Sequence, residues 1–148
     1  MYAWIVRSMI RRAVRQQNAG DIEAVLAAFA DDARFVFPGR HSWGADLRGK
    51  DEIERWLRRL VQAGVQFDPP EVIVQGWPWD TTVCMRMTDH LTGPDGEVVY
   101  ANRAFEYVKI RWGKIKFIEV YEDTQKAAEL DEYLASHERS AREGSAAQ

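Results

Sequence analysis

The chain has 148 residues, 46% of them hydrophobic, enough for one substantial core and too few for two comfortable domains. A net charge of −3 and a pI near 5.6 lack the basic footprint with which a general nucleic-acid binder displaces counterions. The single cysteine, Cys84, excludes an internal disulfide and a C-x-x-C site, so a reducing, cytoplasmic setting is expected.

Charge is scattered through "MYAWIVRSMIRRAVRQQ", which therefore lacks the unbroken apolar core of a signal peptide. No run approaches the roughly 18 apolar residues of a membrane span, and no membrane partner is expected. From Trp4 to Gln17 the spacing predicts a helix. Ile5, Met9 and Ala13 with Val6, Ile10 and Val14 form its apolar stripe, and Arg7, Arg11 and Arg15 a solvated one. "NAGDIEAVLAAFADDA" reads as a glycine break, Asp21 as N-cap, and a short second helix. "RFVFPG" is a strand stopped by Pro-Gly, "HSWGADLRG" a loop, and "KDEIERWLRRLVQAG" a third helix ending before Gly64.

The period then changes. "PEVIVQGW", "TTVCMRMTDHL", "EVVYANRAFEYVKIRW" and "KIKFIEVYED" read as strands joined by "PWD", "TGPDG" and a tight turn at Gly113. "TQKAAELDEYLASH" closes the unit as a helix. The expected organisation is one domain over residues 1–135 and a polar tail over 136–148. Helices followed by an antiparallel meander imply an α+β fold in which the helices cover one sheet face.

Alternation assigns the faces. Val83, Met85, Met87 and Leu91 share a side with Asp89, which places an acid among methionines, where desolvation raises a carboxyl pKa. The bland alternative is a hydrogen-bonded aspartate at the strand rim. In the next strand Asn102, Ala104, Glu106, Val108 and Ile110 face inward. The opposite face mixes cations with Phe105 and Tyr107, a composition that suits a homodimer interface. Glu106 inside needs a partner or a proton. In "FIEVYEDTQ" both faces carry apolar residues. A bulge that swaps the phase would turn Tyr121 and Asp123 inward, whereas Asp123 also stands where a helix N-cap belongs.

Six Trp, six Phe and five Tyr suit an apolar pocket, though an aromatic core and interface would absorb them equally well. Trp43 and His41 occupy the loop after "RFVFPG", where they would overhang a pocket or lie on the surface. Trp56 lies on the apolar side of the third helix, where core packing is the default. His41, His90 and His137 lack metal-ligand spacing, and there is no P-loop, G-x-S-x-G or Gly-rich dinucleotide turn, so no metal or cofactor is expected.

In order and spacing, "NAGDIEAVLAAFADDARFVFPG", "LRGKDEIERWLRRL" and "WGKIKFIEVYEDTQK" resemble the nuclear transport factor 2-like superfamily, and within it the SnoaL-like domains. The resemblance covers Ile10 to Leu134. It implies a strongly curved, mainly antiparallel sheet forming a cone around N-terminal helices, with an apolar pocket inside. Homodimers through the outer sheet face are frequent in that superfamily, in line with the Phe105 and Tyr107 side. The catalytic acid at the "Y-x-D" strand end of SnoaL-like cyclases and limonene epoxide hydrolases falls on Asp123, and the hydrolases' other aspartate on Asp89. Their intervening arginine would fall on Met87, which puts epoxide opening in doubt. The base and the oxyanion-holding acid of ketosteroid isomerase fall near Phe37 and Phe105, so both groups are missing.

The expectation is therefore a small-molecule enzyme performing cofactor-free isomerisation, cyclisation or dehydration on an apolar cyclic ligand. A non-catalytic binding or dimerisation domain is the alternative. Asp123 would be the main acid/base, Asp89 its partner and His41 a proton donor. Tyr121, Asn102 and Glu106 would meet the polar atoms of the ligand, and Trp43 and Trp56 its rings.

Overall fold

The computed structural model describes residues 1–146, with side chains through residue 138. Helix α1 spans Tyr2–Asn18 and buries Val6 and Ile10, leaving Arg11 and Arg15 in solvent. Its apolar stripe is narrower than expected, because Ile5 is exposed, and Arg7 Nε donates to Val72 O at 3.2 Å. In α2 (Ile22–Leu26) Asp21 is the N-cap, accepting from Ala24 N at 3.1 Å. Helix α3 (Lys50–Ala63) turns Ile53, Leu57 and Leu60 into the core and ends at Gly64, whose φ of 82° suits a residue without Cβ.

The strands are β1 (Phe29–Phe37), β2 (Ala45–Arg48), β3 (Gln66–Phe67), β4 (Glu71–Trp77), β5 (Asp80–Thr92), β6 (Val98–Arg111) and β7 (Lys114–Glu122). They form a curved, open sheet in the order β2-β1-β7-β6-β5-β3, with β4 also on β5. Every pairing is antiparallel except β1 with β7, which is parallel and carries the sheet back over the helices. "HSWGADLRG" is not all loop: Ala45–Arg48 pairs with β1, and the Arg34 guanidinium grips Asp46 through two 2.7 Å hydrogen bonds. The turn between β6 and β7 consists of Trp112 (φ 50°) and Gly113 (φ 75°), the left-handed pair that matches strand twist.

On β5 and β6 the inward faces are the expected ones, and Val83, Met87, Asp89, Asn102, Ala104 and Val108 are all buried. On β7 the inward assignment of Tyr121 and Asp123 is overturned. There is a bulge, at Lys116: Ile110 faces Ile115 while Lys109 faces Phe117. It therefore precedes "FIEVYED" instead of interrupting it, and Ile118, Val120 and Glu122 take the inside. Tyr121 is 53% exposed. Asp123, also exposed, lies past the strand and caps α4 (Thr124–Ala146), its Oδ1 accepting from Gln125 N at 3.1 Å and Lys126 N at 3.3 Å. Asp123→Ala should cost about 1 kcal/mol in urea denaturation and Asp123→Asn almost nothing, since Asn caps equally well. Helix α4 runs on through the stretch read as a tail.

Candidate functional site

The concave sheet face and helices α1, α3 and α4 enclose a cavity of about 110 Å³. An apolar cavity of ~150 Å³ holds a benzene, so this one is of single-ring size. Its wall is aromatic: Trp56 packs against Phe35 (centroids 4.7 Å apart), Phe37 (5.4 Å) and Trp43 (6.1 Å). Trp56 Nε1 donates to Trp43 O at 3.0 Å. The loop carrying Trp43 is pinned from both sides. Ser42 N donates to Asp131 of α4 at 2.7 Å, while Arg59 of α3 donates to Ser42 O at 2.6 Å and lies 4.0 Å over the Trp43 ring. Trp43 is consequently buried, and its Nε1 has no hydrogen-bond partner.

Three carboxyl groups meet the cavity from adjacent strands: Asp89 on β5, Glu106 on β6 and Glu122 on β7. The register explains why they converge. Asp89 faces Asn102 across the ladder, Glu122 faces Ala104, and Glu106 follows two residues along β6. Glu106 and Glu122 are thus diagonal neighbours, a spacing of roughly 7–8 Å, and Asp89 meets the same cavity from the far side of β6. Ala104, with nothing beyond Cβ, leaves the space between them open.

All three hold their protons unusually tightly. Burial pushes Asp89 up to about 6, against the help of the Tyr100 hydroxyl and His90. Burial and then the Asp89 charge push Glu106 up to about 7. Glu122 rises to about 8, through burial first and then the charges of Asp89, Glu106 and Asp123. Asp89 is 4% exposed, and neither its Oδ1 nor Glu122 Oε1 has a hydrogen-bond partner. No Lys, Arg or His among the described residues lines the cavity. Near neutrality the cluster therefore holds carboxylate and carboxylic acid together, the condition for giving and taking protons at one site.

The expected residues divide accordingly. Asp89, Glu106, Trp43 and Trp56 line the cavity; Asp123, Tyr121, His41 and Asn102 do not. His41 packs edge-on to Phe37 at 5.6 Å, outside the lining. Asn102 is buried but its amide is committed, donating to Tyr100 Oη at 3.1 Å and Asp123 O at 3.0 Å and accepting from Arg103 N at 2.8 Å. Its role is to hold Tyr100 against Asp89 and tie β6 to the start of α4. Glu122 and Tyr100 are additions to the sequence reading. Continuing the Ile118–Val120 alternation by one step finds Glu122, and extending the Asn102 face backwards finds Tyr100.

Among the described residues no group of three His, Cys, Asp or Glu side chains is placed to hold a metal ion, and no helix is long and apolar enough to cross a membrane. No curated protein matches this sequence. Several solved structures share the fold. TerC, co-crystallised with polyporic acid, is 24% identical at a TM-score of 0.70, over 84% of this chain and 96% of that one. A putative polyketide cyclase from Xanthomonas campestris pv. campestris is 16% identical at a TM-score of 0.68, over 88% and 98%. An NTF2-like protein from Burkholderia xenovorans LB400 is 21% identical at a TM-score of 0.62, over 83% and 92%. Residues 10–118, most of the chain and nearly all of the cavity wall, match the SnoaL-like domain, and the protein belongs to that family.

Proposed function

We propose that this protein is a cofactor-free acid/base enzyme that isomerises, cyclises or dehydrates a small, largely apolar cyclic molecule inside the cone. The supporting observation is the set of three carboxyl groups with raised pKa values around one apolar cavity. Asp123, tied to the amides of α4, is replaced in the leading role by Glu122 with Asp89 and Glu106. In the simplest cycle an ionised carboxylate, Asp89 having the lowest pKa, removes a proton from carbon next to a carbonyl. Protonated Glu122 donates a hydrogen bond or its proton to the developing enolate oxygen. Return of a proton to a different carbon gives the isomer and regenerates both groups. The aromatic wall holds the ring and excludes water. Positioned proton transfer of this kind contributes about 10²–10⁴-fold.

The test needs no knowledge of the natural substrate. Exchange of the α-hydrogens of cyclohexanone in D₂O, followed by NMR, should be accelerated by the protein with an optimum near pH 7. The acceleration should be lost in Asp89→Asn and in Glu122→Gln. Exchange at the buffer rate, or an acceleration that both variants retain, removes the acid/base reading. We further propose that the chain pairs with itself through the outer sheet face, where Ile73, Phe105 and Tyr107 are 69%, 47% and 36% exposed. Phe105→Glu should then give a monomer by light scattering.

A further inference from the structure

We infer that the ligand of this cavity carries a protonated amine beside its ring, and that the cluster of Asp89, Glu106 and Glu122 supplies its counter-charge. The inference rests on the cavity being the ligand site, and it specifies the charge of the ligand. The titratable side chains that face the cavity all come from the sheet: Asp89, Tyr100, Glu106 and Glu122. The helices contribute apolar side chains and Gln17. Asp68, His90 and Asp123 are the other titratable groups acting on the cluster, and none of them lines the cavity. Buried carboxylates are normally paired or hydrogen-bonded, because leaving a charge out of water alone is costly. Here two carboxyl oxygens, Asp89 Oδ1 and Glu122 Oε1, are buried without any partner. Both are acceptors when ionised, so a ligand that satisfies them is a donor.

An ammonium suits these acceptors chemically. Its N–H groups donate to the ionised carboxylate that it meets, and its charge offsets the negative charge of the cluster. The remaining wall completes the match, since the faces of Phe35, Phe37, Trp43 and Trp56 attract a cation as well as a ring. A metal ion is not an equal candidate, as the carboxyl groups are not arranged to coordinate one. An anionic ligand would be repelled. A neutral alcohol or ketone is the serious competitor, because unpartnered Trp43 Nε1 and the protonated acids would serve its oxygen.

Benzylamine and benzyl alcohol, matched in shape and of single-ring size, separate these cases. Calorimetric titration and melting curves should show benzylamine binding at least tenfold more tightly than the alcohol at pH 8. Binding should release protons, seen as a heat that depends on the ionisation enthalpy of the buffer, and should weaken as pH falls to 5.5 and the acids fill. Glu122→Gln should erase most of the preference for the amine. Equal binding of the two probes, or an amine preference unchanged in Glu122→Gln and between pH 5.5 and 8, overturns the inference. If the alcohol alone binds, the amine is excluded while the cavity stands as a site for neutral ligands. If neither probe shifts the melting curve, the single-ring ligand site itself is rejected, and the inference with it.

Discussion

Glu122→Gln is expected to melt at a higher temperature than the parent at pH 8.5 and to gain little or nothing at pH 5. The folded protein holds the Glu122 proton up to about pH 8, whereas an exposed glutamate releases it near 4.5. Between those values the folded state binds more protons than the unfolded state, so stability falls as pH rises through the window. Below 4.5 both states are protonated and the penalty is absent; above 8 it is complete. Asp89 and Glu106 add penalties that are complete above about 6 and about 7. Asp32, Asp46 and Asp80 act in the opposite sense. Hydrogen bonds from Lys116, Arg34 and Lys109 lower their pKa values, so their contributions are lost as pH falls through the carboxylate range. The parent should therefore be most stable at mildly acidic pH. Each extra proton held by the folded state costs about 1.4 kcal/mol per pH unit on the way up. Because Glu122 keeps some contact with solvent, and an uncharged glutamine still needs hydrogen-bond partners, a gain of about 2–3 kcal/mol at pH 8.5 is expected. That is roughly 8 °C in a chain of this size. A parent whose melting temperature is flat from pH 5 to 8.5, with a Gln variant that tracks it, would show that the carboxyl groups are solvated and the cavity is not dry.

Much of this site was readable from residue order, and the boundary of what was readable has a physical cause. On β5 and β6, long runs with a clear inside and outside placed Asp89 and Glu106 on the cavity side from period-two alternation alone, because a one-residue slip would have buried Arg86 or Lys109. On β7 the alternation was undermined by apolar residues on both faces, Phe117 and Tyr121 outside against Ile118 and Val120 inside. The outer face of this sheet is itself aromatic, with Phe117 packing on Tyr107 at 6.4 Å, so hydrophobicity could not tell cavity from surface. The bulge at Lys116 leaves no mark in composition. Asp123 shows the same ambiguity at a strand end, where one residue serves as pocket acid or helix cap and only the backbone direction decides. The tryptophans are instructive too. Trp43 and Trp56 line the cavity, but Trp77 and Trp79 stack in the open, 5.8 Å apart, with Trp112 beside them. A count of aromatics therefore overstates the pocket.

Trp56→Ala should produce the largest loss of stability among the cavity variants, and the loss should be partly repaired by a molecule added from solution. Removing a packed indole costs about 3–5 kcal/mol, since the transfer energy is lost and the surroundings close only partly over the hole. The lower end applies here, because Trp56 is only partly buried, although its Nε1 hydrogen bond to Trp43 O is lost as well. The surroundings are poorly able to collapse. Phe35 and Phe37 are fixed on β1, and Trp43 is held by the Ser42, Arg59 and Asp131 contacts that join the loop to two helices. The vacated space should therefore persist and accept free indole, which at a hundredfold excess over its Kd would restore about 2.7 kcal/mol. The parent, whose cavity of about 110 Å³ is of single-ring size, should not respond to the two-ring indole. Trp112→Ala, at a position 73% exposed, supplies the comparison and should change stability by less than about 0.5 kcal/mol. Chemical denaturation with and without indole reads all of these together. A Trp56→Ala variant that loses under 1 kcal/mol, or that ignores indole while the parent binds it, would mean that the wall moves to suit its contents. Ring selection would then have to come from the carboxyl groups alone.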